Sequence, residues 1–513
     1  MKKKLFNIHK LIGVNVILFF FLSLFFGILT IFQPYINLWE DSAKHIKHIE
    51  MKDIDLEKCL KQVTKRKYFQ EDGSILKNDM HKLRLPAVEV TSNNLLRVTT
   101  RPNFYLDPNT CIKVKAKRFN ISSFFDTIHR GRIFNSFIMR ILFGFMSVAV
   151  VFLCLSGIYL IIKNNYRNTA KSTKSHFAKY HRLLLLYTLP LIFMFGLTGA
   201  LFNLGVYSTP LMTHYLTNGE TINVLKVDKN VLNDVDLKIH EKSLKMKNMN
   251  LNELYTKAGD EFDDIRFYSM QIYNYQDINA KVKFIGYETH NFFISSMINE
   301  SYIVLDANNA EVLDKKMAAD GTFTEKTLDA IFYLHYLRTF QDIPRIIFAI
   351  ISMIMLVGLV YAMNLWLERA KKDKFSYKVL KPLSLSIILG SLVSASLLFA
   401  ITWIIPKDYT SFILFDKLQV THRVFFYLTY FFMFIYVFIK KEPISIIRNS
   451  FYISSALLMI AFFAHNFMSG FTIFRTYNEG MYEIFGTDIA LLLVSIVLFI
   501  FAKRLPEKYI EFK

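Results

Sequence analysis

The sequence predicts an α-helical polytopic membrane protein of about eight transmembrane helices, with two α+β insertions on one side and an internal duplication of helix, outer domain and helix. Three observations predict it: long uncharged apolar runs, basic residues gathered at alternate ends of those runs, and a motif that recurs with its spacing intact. Of the 513 residues, 53% are hydrophobic and 16% aromatic, which excludes a disordered or collagen-like chain. The formal charge of +20, from 62 Lys and Arg against 42 Asp and Glu, would suit nucleic acid or a membrane surface. Runs such as Ile141 to Ile162 and Leu183 to Val206 decide for the membrane and against nucleic acid, because a hydrocarbon core of ~30 Å demands helices of that length.

The runs fall at about 11–32, 137–162, 183–206, 344–367, 380–405, 420–439, 451–470 and 484–502. They divide the chain into a first helix (1–32), an outer domain (33–136), and two helices joined by a basic loop (137–206). A second outer domain (207–343), a fourth helix (344–367) and a C-terminal four-helix region (380–502) follow. Lys2, Lys3 and Lys4 imitate the start of a signal peptide, but the next run is too long and Ile31-Phe32-Gln33-Pro34 offers no small-residue cleavage site. A retained first helix is expected.

Lys and Arg near helix ends stay on the cytoplasmic side. Segments 1–10, 163–182, 368–381, 440–448 and 503–513 together carry 23 of them, whereas connections 406–419 and 471–483 carry only Lys407, Lys417 and Arg475. Both termini of this multi-pass chain are therefore expected in the cytoplasm and the two long segments outside, which in a bacterium is the periplasm or cell exterior. Cys59 and Cys111 share the first outer segment, where a disulfide can form, while Cys154 stands alone in an apolar run. No CxxC occurs, so a thiol redox motif or a four-cysteine metal site has no support.

The duplication is visible by eye. His9-Lys10-Leu11-Ile12 through Gly27 recurs as His181-Arg182-Leu183-Leu184 through Gly199, histidine and glycine 18 residues apart in both copies. Downstream, Ile128-His129-Arg130 precedes Arg140-Ile141-Leu142-Phe143 as Leu334-His335-Tyr336 precedes Arg345-Ile346-Ile347-Phe348. Strand phrases with turn formers, Tyr105-Leu106-Asp107-Pro108-Asn109 and Val304-Leu305-Asp306-Ala307-Asn308, stand before each outer histidine.

Each copy thus has one histidine at the inner end of its first helix and one at the outer end of its second. His9 and His181 are expected at one depth near the inner face, and His129 and His335 together near the outer face. Facing imidazoles on neighbouring helices are what a six-coordinate haem iron needs. Phe19, Phe20, Phe143 and Phe195 are candidates to line the slots, and Lys10, Arg182, Arg130, Arg132 and Arg338 are candidate cations for haem propionates. The plainer reading of a membrane-edge histidine is an interfacial ring. Four histidines duplicated in register favour two haems b, with iron ligands His9, His181, His129 and His335. Since His129 and His335 precede their runs by about eight residues, ~12 Å of helix rise, the haems are expected to be separated by most of the membrane thickness.

The His-Lys-Leu-Ile-Gly start, the helix from His181-Arg182-Leu183 to Leu197-Thr198-Gly199-Ala200, the Leu305-Asp306 phrase and the Leu334-His335-Tyr336 entry resemble the PepSY-associated transmembrane family over about residues 1–370. Members are bacterial inner-membrane proteins linked to iron and siderophore uptake, and some resemble dihaem reductases of ferric siderophores. The resemblance implies bis-histidine haem binding at the same four histidines and PepSY-like folds in the outer segments. Two departures stand out: the first outer segment lacks the glycine usual after its Asp-Pro turn, and Ala362 stands where alignment with Gly157 wants glycine.

A bis-histidine haem has no open position, so it carries electrons. The expected reaction is an oxidoreductase's: electrons pass from a separate donor protein or membrane quinol to a periplasmic acceptor, ferric siderophore iron first among them. No GxGxxG after a strand, Walker motif or large inner domain supplies a donor within the chain. The stretch Tyr268, Tyr273, Tyr275, Tyr287, Phe292 and Phe293, with His290, is either a docking groove or plain sheet packing. His422 and His465, in the C-terminal region, are weaker candidates for a third haem, the alternative being hydrogen-bonded structural histidines, and Asp488 is read as a helix-start residue. Competing functions are a non-redox siderophore or iron transporter component and a PepSY-type periplasmic sensor or interaction protein.

Overall fold

The computed structural model of the chain describes residues 2–64, 68–69, 75–76, 80–84, 96–98, 104–114, 120–132, 137–163, 172–216, 218–219, 244–262, 264–295, 299–337, 342–371, 374–405, 418–440 and 442–506. The helices are α1 (Lys2–Ile31), α2 (Gln33–Trp39), α3 (Leu56–Thr64), α4 (Ile121–His129), α5 (Phe137–Lys163), α6 (Thr173–Tyr187), α7 (Leu189–Leu216) and α8 (Leu251–Asp260). They continue with α9 (Phe323–Tyr336), α10 (Asp342–Ala370), α11 (Lys374–Ile404), α12 (Leu418–Ile439), α13 (Pro443–Met468), α14 (Ile473–Asn478) and α15 (Tyr482–Arg504). Among the described residues seven helices, α1, α5, α10, α11, α12, α13 and α15, are each long and apolar enough to cross a membrane.

The eighth expected run is a bent pair of helices. The run expected at 183–206 as one helix is the end of α6 and the start of α7, bent by 71° at Thr188. Pro190 explains the break: it has no N–H to give the preceding turn and its ring collides with that turn's carbonyl, so it is tolerated only in a first helical turn. The Thr188 hydroxyl instead donates to the Leu184 carbonyl at 2.9 Å. α6 turns away to lie along α10, and His181 travels with it.

A second difference is at α13, which starts at Pro443 and not near 451. Arg448 and Asn449 depress the apolar average there, yet both are satisfied within the bundle. Arg448 donates to the carbonyls of Leu505 and Pro506 at 2.9 and 2.8 Å, and Asn449 donates to the Tyr436 hydroxyl at 2.8 Å.

The two insertions share one antiparallel sheet. The first insertion supplies β3 (Met80–Arg84), β4 (Leu96–Val98), β5 (Phe104–Leu106) and β6 (Lys113–Val114); the two-residue strands β1 (Tyr68–Phe69) and β2 (Ile75–Leu76) pair separately. The second supplies β7 (Ile265–Tyr273), β8 (Lys281–Glu288), β9 (Ser301–Asp306) and β10 (Val312–Lys316). The order is β10-β9-β8-β7-β3-β4-β5-β6, and the seam is β3 on β7, from Met80 opposite Tyr273 to Arg84 opposite Ser269. Reading each insertion as its own unit missed this seam. One sheet face is covered by α3 and α8, through Leu56, Leu60, Leu251 and Leu254 on Phe267, Met270, Phe284 and Ile303. Cys59 and Cys111 are joined by a disulfide inside that core.

Below the sheet lie two helix groups. Ile17, Phe21, Val150, Ile192, Met355 and Leu359 form the core of the duplicated helices, while Leu389, Val393, Met433 and Ile446 pack among α11, α12 and α13. Phe26, Trp39 and Phe125 of the first copy pack with Phe399, Trp403, Phe426 and Ile484, so the two groups share a buried joint.

Candidate functional site

The outer histidines sit on short helices of their own, not on the long ones. α4 starts at its cap Asn120, whose side chain accepts from the Ser123 N–H, and stops where Gly131 takes φ +66°. α9 starts with a capping box in which Thr322 and Glu325 bond each other's backbone N–H, and Leu337 ends it in the left-handed region. Both short helices end beside the first helix of their own copy. His129 Nδ1 donates to the Ser23 carbonyl of α1 at 2.8 Å, and His335 Nδ1 lies 2.6 Å from the Thr198 hydroxyl of α7. The two rings face each other with centroids 6.1 Å apart and planes inclined by 36°.

These bonds fix the tautomers. A carbonyl only accepts, so His129 carries its proton on Nδ1. Thr198 gives its own hydrogen to the Met194 carbonyl at 2.7 Å and therefore accepts from His335 Nδ1. The Ser156 hydroxyl lies 2.8 Å from His9 Nδ1. In His129 and His335 the Nε2 lone pair is left for a ligand, the arrangement in which a buried partner on one nitrogen orients the other. His181 differs: the Gly358 carbonyl stands near its ring, and Nδ1 has no hydrogen-bond partner within ordinary bonding geometry among the described residues.

Burial holds His129 below the ordinary imidazole pKa, and it pushes His335 down to about 3, with His129 and Arg130 adding to the effect. Both rings are therefore neutral near pH 7, the form that binds metals.

Two cavities contain the pairs. His9 and His181 line one of about 230 Å³ together with Lys10, Arg182, Arg369 and Trp366. His129 and His335 line another of about 390 Å³ together with Arg130, Arg132, Arg140 and Arg345. Phe20 and Val150 belong to the walls of both. The pairs stand apart by most of the membrane thickness: α4 folds back so that His129 docks at the level of Ser23 and Gly27, and about 21 Å of rise along α1 separates Ser23 from His9.

Of the other expected residues, Phe143 and Phe195 line the sheet-side cavity, Phe19 is exposed, and Arg338 lies outside the described residues. Arg140 and Arg345 entered the reading only as repeat markers, yet they occupy matching places. Arg140 of α5 donates to the Phe202 carbonyl of α7 at 3.0 Å, and Arg345 of α10 donates to the Ile31 carbonyl of α1 at 3.2 Å. Arg345 is buried, and its Nε has no hydrogen-bond partner among the described residues.

His422 and His465 line neither cavity. His465 is wholly buried, its Nδ1 2.9 Å from Asp488, and its ring is packed by Trp39, Trp403 and His45. Asp488 is a buried acceptor and not merely a helix-start residue, and His45 was not anticipated, having no counterpart in the repeat. In the aromatic stretch Tyr268, Tyr273 and Tyr287 are buried in the sheet, whereas Phe293 and His290 are exposed.

Fold and site define a polytopic membrane protein whose duplicated helices carry two histidine-lined cavities beneath a shared extramembrane sheet. The model of the PepSY-associated TM region matches residues 6–369, and the chain belongs to that family. No curated protein sequence matches the chain. The four C-terminal membrane helices lie beyond the matched region.

Proposed function

We propose that the protein passes electrons across a bacterial inner membrane through two bis-histidine haems b, ligated by His9 with His181 and by His129 with His335. The acceptor is ferric siderophore iron on the sheet side, and the donor is membrane quinol or a separate protein on the side of the termini. The observation that carries this reading is the pair of cavities, each walled by two histidines, in which three of the four rings are hydrogen-bonded through Nδ1. At the sheet-side pair the residues fit the group. With metal–imidazole bonds of about 2 Å, opposed ring centroids stand about 6 Å apart, and His129 and His335 have 6.1 Å.

When bound, the group supplies one-electron chemistry with no open coordination position. The chain does the rest. Ser23, Thr198 and Ser156 hold ring orientation through Nδ1. Arg140 and Arg345, aided by Arg130 and Arg132, would hold carboxylates at the sheet-side cavity, and Lys10, Arg182 and Arg369 would do so at the other. Phe20, Leu24, Phe143 and Phe195, in the apolar part of the sheet-side wall, would keep water from a group bound there. Reduction to ferrous iron weakens hard oxygen ligands and frees the metal from its carrier.

The test is a haem count with reduced-minus-oxidised spectra of the purified protein. Two low-spin haems are expected, with His181→Ala losing only one and His335→Ala only the other. A wild-type protein with no Soret absorption overturns the reading, as do variants that keep both haems.

A further inference from the structure

Two cavities that serve one electron path must meet somewhere, and here they meet at two side chains. Phe20 of α1 and Val150 of α5 are the residues common to both linings. Phe20 stands three residues from Ser23, whose carbonyl holds His129, about 4.5 Å along the helix, and eleven residues from His9, about 16 Å. Val150 is buried in the core with Ile17, Phe21 and Met355, so the partition is backed by packed side chains. The neighbouring Phe19 points to the exposed face of the same helix, its edge against Phe143.

We propose that the Phe20 ring, packed against the core cluster that holds Val150, is the bridge across which electrons pass between the two histidine-lined cavities. This rests on the electron-carrier reading above and adds the route. Tunnelling falls steeply with the length of unfilled gap, and a polarisable ring spanning the partition shortens that gap more than an aliphatic side chain does. The step moves one electron and no proton: the donor-side iron goes from ferrous to ferric as the sheet-side iron goes from ferric to ferrous. Phe20 itself is neither oxidised nor reduced.

The test uses the full chain with both haems and a ruthenium photosensitiser on a cysteine introduced by Lys3→Cys, at the exposed start of α1. A flash reduces the nearer haem, and a second phase, absent from the His335→Ala variant, reports transfer to the further one. Phe20→Leu should slow that phase by about tenfold, equivalent to roughly 1.4 kcal/mol on a barrier, with both midpoint potentials unchanged. Phe20→Tyr and the control Phe19→Leu should leave the rate as it is. An unchanged rate in Phe20→Leu overturns the bridge, and so does loss of either haem from that variant, which would make the ring a structural wall. Absence of haem from the wild type is a different failure, that of the electron-carrier reading.

Discussion

Trp39 donates its indole N–H to Asp488 at 2.8 Å, a bond between residues 449 positions apart that ties the first copy of the repeat to the last membrane helix. The other carboxylate oxygen of Asp488 takes the His465 ring at 2.9 Å, and every partner is buried. Asp488→Ala therefore strands two buried donors, at about 1–3 kcal/mol each. The unfolding midpoint in detergent should fall accordingly, while Trp39→Phe, which removes one donor and strands none, should cost less. Equal midpoints for Asp488→Ala and the wild type would refute this account of the joint. Since neither residue lines a histidine cavity, the haem spectrum of the folded variants should match that of the wild type.

What was legible in the sequence shares a physical character. Hydropathy registers length of apolar chain, so the eight runs were readable, and duplication registers position, so the four histidines were readable as pairs. Direction was not. A window cannot tell that one helix ends and another starts at 71° beside Pro190, because the run is apolar on both sides of the break, from Leu183 to Tyr187 and from Leu189 onward. The β3 to β7 seam pairs segments almost 190 residues apart, beyond the reach of any local pattern. Arg140 and Arg345 were visible as repeated letters, but only the fold shows each reaching the first helix of the other copy. His45 stands in a polar connection with no duplicate and gave no signal.

Gly27 separates the wall of α1 from His129. A Cβ there would lie 3.0 Å from His129 Nδ1, the atom that must reach the Ser23 carbonyl. Gly27→Ala should push the ring aside and shift the midpoint potential of the sheet-side haem alone, as read by redox titration. Gly157 faces His9 Cε1 at 3.6 Å, ordinary contact distance, so Gly157→Ala should leave both potentials in place. A shift in the second variant and none in the first would reverse the assignment of which glycine makes room for a ligand.

The Cys59–Cys111 disulfide spans 52 residues and lies in the core beneath the sheet. Loop-closure entropy for a span of that size is worth about 4 kcal/mol. Reduction, or the double change Cys59→Ser with Cys111→Ser, should lower the unfolding midpoint of the sheet region and increase its proteolysis. The helical bundle should keep its haem spectrum, since neither cysteine lines a cavity. A midpoint indifferent to reductant would show that the α3 and α8 packing suffices without the bond.

Glu40, just past α2 and fully buried, makes stability depend on pH in the direction opposite to most carboxylates. Burial raises its pKa to about 7, only partly offset by Lys44 and by the N–H and hydroxyl of Ser122, which donate to it at 3.0 and 3.1 Å. In the unfolded chain the same group titrates near 4.5. Between those values the folded protein holds a proton that the unfolded chain has lost, so the stabilisation is complete below about pH 4.5 and is lost as pH rises to about 7. The size is on the order of 3 kcal/mol. Glu40→Gln removes the titration while keeping an oxygen for Ser122, so its unfolding midpoint should vary less over this window than that of the wild type. Parallel pH profiles for the two proteins would show that the Glu40 proton is not linked to folding.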